Sequence, residues 1–482
     1  MNSSLLFYDL ETSGFSPRDQ RIMQFAGQRT DLQLKPIGEP HNYLIKITED
    51  ILPDPDAVLL TGITPQMTIA DGVTEAEFLK IFSTEISTPG TIFTGFNSIR
   101  FDDEFMRFLH YRNFYDAYEW HWADGRSRWD LLDVVRMTRA LRPVGIKWPF
   151  NSEGQPANQL GLLTSLNGLD HANAHDALSD VLATIDLARL LRAKQPNLFT
   201  FLINHRDKKE VAKIASVQAG PFVYTSGKYD SQHEKTTVVT ALFENPKKNG
   251  VVVYDLRHDP APFLTMKAAE LAEMWRHFCK ERPCPHPRLP VKTLQYNRCP
   301  AVAPLGVFNN DCQKRLELPM KTVKNHLTVL SQHPGFAAEL AEAVEIMDKK
   351  FQAQLLTDQI DADARLYENF VSDSDKSVMG KVRSSGPNEL QDLQANFADD
   401  RLAQLLPLYK ARNFPKTMTS EERETWQRFC ERRLLGGKQA SRAARFFERL
   451  GQLAEQKDLT AKKRFLLEEL QLYGQSVLPI TE

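Results

Sequence analysis

Residues 5 to 14 read Leu5-Leu-Phe-Tyr-Asp9-Leu-Glu11-Thr-Ser-Gly14, and the fold follows from how these ten positions are read. An apolar run followed by acid, apolar, acid is the pattern of a strand whose tip carries two carboxylates. Residues i and i+2 of a strand face the same side, so Asp9 and Glu11 can point at one cation. Hydrolysis of a phosphodiester uses such a site, with two cations about 4 Å apart, one activating water and the other stabilising the leaving oxygen. Oxygen-only ligation suits Mg²⁺ or Mn²⁺ rather than zinc. The triplet alone decides nothing in a chain with 62 acidic residues.

Two further segments give it a setting. Thr91-Ile-Phe-Thr-Gly-Phe96 reads as a buried strand and Asp103 to Arg112 as a helix, which puts Asp102 at a strand-to-helix junction. His175 and Asp180 lie in His171-Ala-Asn-Ala-His175-Asp-Ala-Leu-Ser-Asp180, a polar stretch opening a helix that runs to about Leu191. Each helical step rotates about 100°, so residues five apart do not share a face. His175 is therefore placed on the loop entering the helix, with Asp180 one turn inside. That arrangement suits Asp180 to ligation and His175, with an unperturbed pKa of about 6.5, to taking a proton from water. Asp103, Glu104 and Asp176 sit at helix starts, where carboxylates cap free N–H groups, and that plainer role is preferred for them.

Strands are expected near 5–10, 21–30, 41–47 and 91–96, and helices near 103–114, 128–141 and 176–192, an α/β pattern with acids at strand ends. After Gln195-Pro-Asn-Leu, short strands are expected at 220–226, 235–243 and 251–256, as in a small barrel. The Pro-rich loop 283–290 follows, then helices near 319–332 and 335–348. The remainder is expected to be helical at 401–412, 420–435, 439–456 and 460–473. Residues 372–400, rich in Ser, Asp, Asn and Gly, are the least ordered by composition.

The three motifs resemble those of the DEDDh exonucleases: Asp9-Leu-Glu11-Thr-Ser-Gly14 the first, Asn97-Ser-Ile-Arg-Phe101-Asp102 the second, His175-Asp-Ala-Leu-Ser-Asp180 the third. Thr61-Gly-Ile-Thr64 is similar to the turn that superfamily places between the first two. Arg112-Asn-Phe-Tyr-Asp116, Arg128-Trp-Asp-Leu-Leu-Asp133 and Ala411-Arg-Asn-Phe-Pro415 resemble one bacterial branch of it, nearly end to end. The resemblance implies a ribonuclease-H-like α/β core at 1–192, an SH3-like β-barrel domain at 196–349 and a helical C-terminal domain at 352–482. It implies a 3′-to-5′ exonuclease that degrades single-stranded DNA to 5′-mononucleotides in repair and recombination. Asp9, Glu11 and Asp180 would hold two Mg²⁺ (replaceable by Mn²⁺), Asp102 would join directly or through water, and His175 would be the general base. It further implies docking of the acidic C-terminal tail of single-stranded-DNA-binding protein, and a monomer.

Strand-contacting positions carried over on the same ground are Arg107, Tyr118, Trp122, Arg136, Arg142 and Lys208. Tyr118, Trp120 and Trp122 interleave with arginines, as in proteins that stack bases on aromatic faces while cations follow the phosphates. The plainer alternative, that alternate aromatics are core, is expected to hold for at least one of the three. Glu11 and Gln159 would touch the terminal nucleotide. Where relatives present a basic residue after Pro156, this chain has Ala157-Asn158-Gln159, whose amide donates without charge and bonds phosphate more weakly.

At 482 residues the chain is long enough for two or three domains. A net charge of −2 carries no global nucleic-acid signal, so a DNA enzyme of this composition must segregate its charges. From Arg401 onward 16 Lys or Arg stand against 10 Asp or Glu, a locally basic tail. The N-terminal apolar run is too short for a signal sequence, and no stretch can span a bilayer, which points to the cytoplasm and away from membranes. Five cysteines fit a reducing compartment. Cys279, Cys284, His286 and Cys299 match no zinc-site spacing and are read as ordinary thiols and a ring. Two rival readings stand beside the main one: the same chemistry on short RNA or a mispaired terminus, and a catalytically silent strand-binding module.

Overall fold

The computed structural model describes residues 3–171, 176–276, 288–355, 361–437 and 440–478. They pack as two units, one from Met1–Ser127, His171–Leu182 and Ile360–Glu482, the other from Arg128–Asp170 and Ala183–Gln359.

In the first unit, β1 (Ser4–Thr12) lies between β2 (Ile22–Thr30), antiparallel, and β4 (Thr91–Gly95), parallel, while β3 (His41–Leu44) pairs with the outer edge of β2. Leu6, Tyr8 and Leu10 of β1 face a core completed by Phe25, Phe78, Phe82, Phe93, Phe105 and Leu109, all nearly inaccessible. The intervening odd-numbered acids, Asp9 and Glu11, therefore fall on the opposite face. The stretch between β3 and β4, given no elements in the sequence reading, folds into short helices at Pro55–Thr61, Pro65–Asp71 and Glu75–Ile81. Their signals were local. Asp54 and Thr64 cap helices with proline at the first position, and Thr74 with Glu77 forms a capping box.

The C-terminal helices belong to this unit. Leu434, Phe446, Leu450, Leu466, Leu470 and Tyr473 share one buried cluster with Ile47, Ile51 and Val58. Leu366, Met379, Val382, Leu402 and Tyr409 share another with Phe108, Tyr111 and Phe114. Residues 372–400 are more ordered than their composition predicts. Ser372 caps a helix at Asp373–Ser384, and Met379 and Val382 are buried on its inner face. Most polar residues of that helix lie on its solvent side, while Asp375 is buried and accepts the Ala398 N–H at 2.8 Å.

A buried ion cluster ties the two sequence segments together. Arg21 Nη2 lies 2.7 Å from Asp363, and Arg412 Nη2 lies 2.8 Å from Asp50 and 3.0 Å from Asp363. Arg433 bonds Asp363 at 3.2 Å, and Arg112 bonds Glu75 at 2.8 Å.

Where the sequence passes from the first unit to the second, the segment expected to be helical from 128 begins instead as β5 (Ser127–Asp130) and turns helical at Leu131–Leu141, where the Asp130 carboxylate caps the Leu132 N–H. Beyond it stand β6 (Phe222–Thr225), β7 (Thr236–Asn245), β8 (Gly250–Asp255), β9 (Val291–Gln295) and β10 (Ala301–Pro304). They form an antiparallel sheet in the order β10-β6-β7-β8-β9. The last two strands were not expected from sequence, because each is short and directly follows a proline. Val211 and Ala215 of the helix Lys208–Ala215 pack on this sheet's core. Cys279, Cys284 and His286 lie outside the described residues, and the Cys299 thiol donates to the Arg128 carbonyl at 3.2 Å. Among the described residues no helix is long and apolar enough to cross a membrane.

Candidate active site

The acids of β1 sit where the sheet runs out on one side. Pairing with β4 covers Ser4 to Phe7 and stops, because β4 ends at Gly95. A side chain at Gly95 would put a Cβ 2.6 Å from that of Ser98 and 2.9 Å from the Tyr8 carbonyl, so only glycine lets the chain turn off there. Asn97 follows in the left-handed region, and the helix Asp102–Arg112 begins five residues later. Asp102 then supplies what the missing strand would have given, accepting the Leu10 N–H at 3.2 Å. The backbone between Asp9 and Glu11 is held on one edge by Asp102 and on the other by β2, where Glu11 pairs with Gln24.

Asp180 comes from the first turn of the helix Ala177–Lys194. One carboxylate oxygen each from Asp9, Glu11 and Asp180 lies within 4.8 Å of the others. Burial, then the charges of Asp180 and Asp176, push the Asp9 carboxyl well above its usual range. Burial, then Asp9, Asp180 and Asp176, push Glu11 up to about 9. Three carboxylates collected in a largely buried space with no basic side chain among the causes of these shifts form a donor set suited to a divalent cation, and the all-oxygen chemistry fits a hard one. Asp102 is 3 % exposed and stands outside this trio. His175 lies outside the described residues.

Three polar neighbours of the site were not singled out by sequence. Gln24 Nε2 donates to Asn42 at 2.9 Å and to Asp176 at 3.4 Å, and Gln24 Oε1 accepts the Ala177 N–H at 3.4 Å. It thereby ties the helix start to the sheet. Asp103, read only as a helix-start acid, accepts the Tyr8 hydroxyl. His171 Nε2 bonds Asp180 Oδ1. Only the polarity of Gln24 within the apolar start of β2 hinted at this, since pairing between distant elements leaves no local pattern.

The positions expected to hold a strand are spread over both units. In the first, the Arg107 side chain is 7 % exposed, bonds Glu104 at 2.7 Å and lies 5.5 Å from the Tyr118 ring centroid. Trp120 is core, as expected for one of the three aromatics, and Trp122 is 59 % exposed. In the second unit, Arg136 bonds Asp133 at 2.7 Å, and Arg142 donates to the Leu141 and Val307 carbonyls at 2.7 and 3.2 Å. Gln159, which precedes the helix Leu160–Leu166, and Lys208, at the start of its helix, are exposed.

Three sequence families match consecutive parts of the chain: "Exonuclease" at 6–188, "Exonuclease I SH3-like domain" at 206–345 and "Exonuclease I C-terminal domain" at 360–477. Exodeoxyribonuclease I of Escherichia coli K12 is 38 % identical over 426 residues, 88 % of either chain. That of Haemophilus influenzae is 36 % identical over 478 residues, covering 98 % of this chain and 99 % of its own. The crystal structure of E. coli exonuclease I with a dA16 oligonucleotide superposes with a TM-score of 0.92 at 36 % identity, over 99 % of this chain and 100 % of that one. Comparable likeness extends to a zinc-bound E. coli exonuclease I complex with single-stranded DNA (TM-score 0.91, 36 % identity, 99 % and 100 % covered). It extends also to an SSB/exonuclease I structure with an inhibitor (TM-score 0.89, 34 % identity, 99 % and 100 % covered).

Proposed function

The chain belongs to the exodeoxyribonuclease I family, and on that premise we propose that it removes 5′-mononucleotides from the 3′ end of single-stranded DNA by phosphodiester hydrolysis, in DNA repair and recombination. The observation that carries the chemistry is the convergence of the Asp9, Glu11 and Asp180 carboxylates. Two Mg²⁺ ions, replaceable by Mn²⁺, are the proposed occupants, and when bound they supply the Lewis acidity that activates water and stabilises the leaving 3′ oxygen.

The chain's own residues do the rest. Asp9, Glu11 and Asp180 hold the cations, and Asp102 fixes the Leu10 backbone so that both β1 acids keep their aim. His175, on the strength of its motif, takes the proton from the attacking water. Its replacement by Ala should slow the reaction and remove the rise of rate with pH through its pKa. Tyr118, backed by Arg107, and the exposed Trp122 offer faces for bases. Arg136, Arg142, Lys208 and Gln159 are proposed to meet the backbone, Gln159 without a charge.

We also propose the segments 1–192, 196–349 and 352–482 as the domains of this monomer. A cytoplasmic site of action and docking of the acidic tail of single-stranded-DNA-binding protein complete the reading. The test is release of nucleotides from 3′-labelled DNA and RNA single strands, with and without Mg²⁺. Metal-dependent release from DNA is expected. Preference for RNA would favour the short-RNA reading, and binding without release would favour a silent module.

A further inference from the structure

Of the three clustered carboxylates, Asp9 and Glu11 share one strand, while Asp180 arrives from a helix and needs its own anchorage. Gln24 holds the backbone at that helix start through the Ala177 N–H and the Asp176 carboxylate, but it does not touch the Asp180 side chain through either bond. An aspartate facing two other acids in a poorly solvated site is driven by repulsion to rotate away from them. A neighbouring imidazole opposes that rotation directly. His171 Nε2 bonds Asp180 Oδ1, with the His171 side chain 7 % exposed and that of Asp180 17 % exposed. A donor on one carboxylate oxygen restrains the rotamer, the outer-sphere arrangement that tunes many metal sites.

We propose that His171 is a positioning residue of the metal site: by donating from Nε2 to Asp180 it aims that carboxylate at the space shared with Asp9 and Glu11, and so strengthens divalent-cation binding. This rests on the reading of the acidic trio as the metal site. His171 touches no reacting atom, so its effect falls on metal affinity rather than on the rate at saturating metal.

The experiment titrates Mn²⁺ into the full-length, DNA-free protein by calorimetry, with paramagnetic resonance of free Mn²⁺ as a second readout. His171→Ala should weaken binding about tenfold or more. His171→Gln, which keeps an N–H donor, should stay close to the parent, and its nuclease rate at saturating Mg²⁺ should match. His171→Phe, which keeps ring bulk without a donor, carries the comparison with Gln if the Ala variant does not fold. Asp180→Asn serves as the reference and should lose the site. Parent-like or tighter Mn²⁺ binding by both donor-less variants, with Asp180→Asn deficient, overturns the positioning role alone. Parent-like binding by Asp180→Asn overturns the metal-site reading beneath it.

Discussion

Two groups of buried acids in the first unit experience opposite electrostatics. Around Asp363, burial alone would raise the carboxyl, but Arg433, Arg412 and Arg21 outweigh it and hold it well below the usual carboxylate range. Asp50 is held down in the same way, chiefly by Arg412 and Arg433 against its burial. At the end of β1 burial acts without such a counterweight, and neighbouring acids add to it, so Asp9 and Glu11 move up. Burial is common to both places, and the partner sets the sign. The first group is a charge-paired structural joint. The second remains electrostatically incomplete until a cation arrives.

Four experiments strain this contrast, the largest effect first. Asp363→Ala leaves buried guanidinium groups without their shared acceptor, and we predict a loss of about 3 to 5 kcal/mol of stability, read by urea denaturation. A change of less than about 1 kcal/mol would mean that the arginines repartner freely and the joint is not needed.

Asp180→Ala should do the reverse. It relieves repulsion, so metal-free stability should hold or rise, while the nuclease rate falls about a thousandfold, equivalent to about 4 kcal/mol of activation free energy. DNA binding measured in EDTA should survive. Normal turnover by this variant would remove Asp180 from the site.

His110 is an intermediate case: a buried ring bonded to the Met106 carbonyl at 2.7 Å, whose pKa burial lowers to about 4. Because it folds neutral, its contribution is complete above pH 6.5 and is lost as pH falls from there through 4. The loss amounts to at most about 3 kcal/mol. Thermal melts across that window should show the slope in the parent and a shallower one in His110→Gln.

The smallest effect concerns Glu11. Without metal its raised pKa makes stability complete below about pH 4.5 and lost as pH rises through 9. Mg²⁺ should therefore raise the melting temperature more at pH 8 than at pH 6. At a hundredfold excess over its dissociation constant the gain is about 2.7 kcal/mol. An equal gain at both values would show that Glu11 is not relieved by the cation.

The same contrast explains why one group was legible and the other was not. The acids of β1 announce themselves because both lie on one strand at a spacing of two, and Asp102 and Asp180 follow recognisable local turns. The joint at Asp363 has no such signature. Its partner Arg21 is 342 residues away in sequence, and nothing near either residue marks the pair. The C-terminal helices were expected from their periodicity, yet their membership in the nuclease unit came only from the clusters that Phe108, Tyr111 and Val58 share with them. A chain cut near residue 350 would therefore expose those clusters.

By itself, the order of residues determined the element types along most of the chain, the α/β character of the first part and the candidate acids. Periodicity, caps and i, i+2 spacing are local, and short-range sterics make them readable. Only the tertiary structure decided which buried charges are matched, which aromatic is core and which is exposed, and that His171 reaches Asp180. Those outcomes depend on which surfaces pack together, and a polar group buried by packing must take whatever partner the other surface presents.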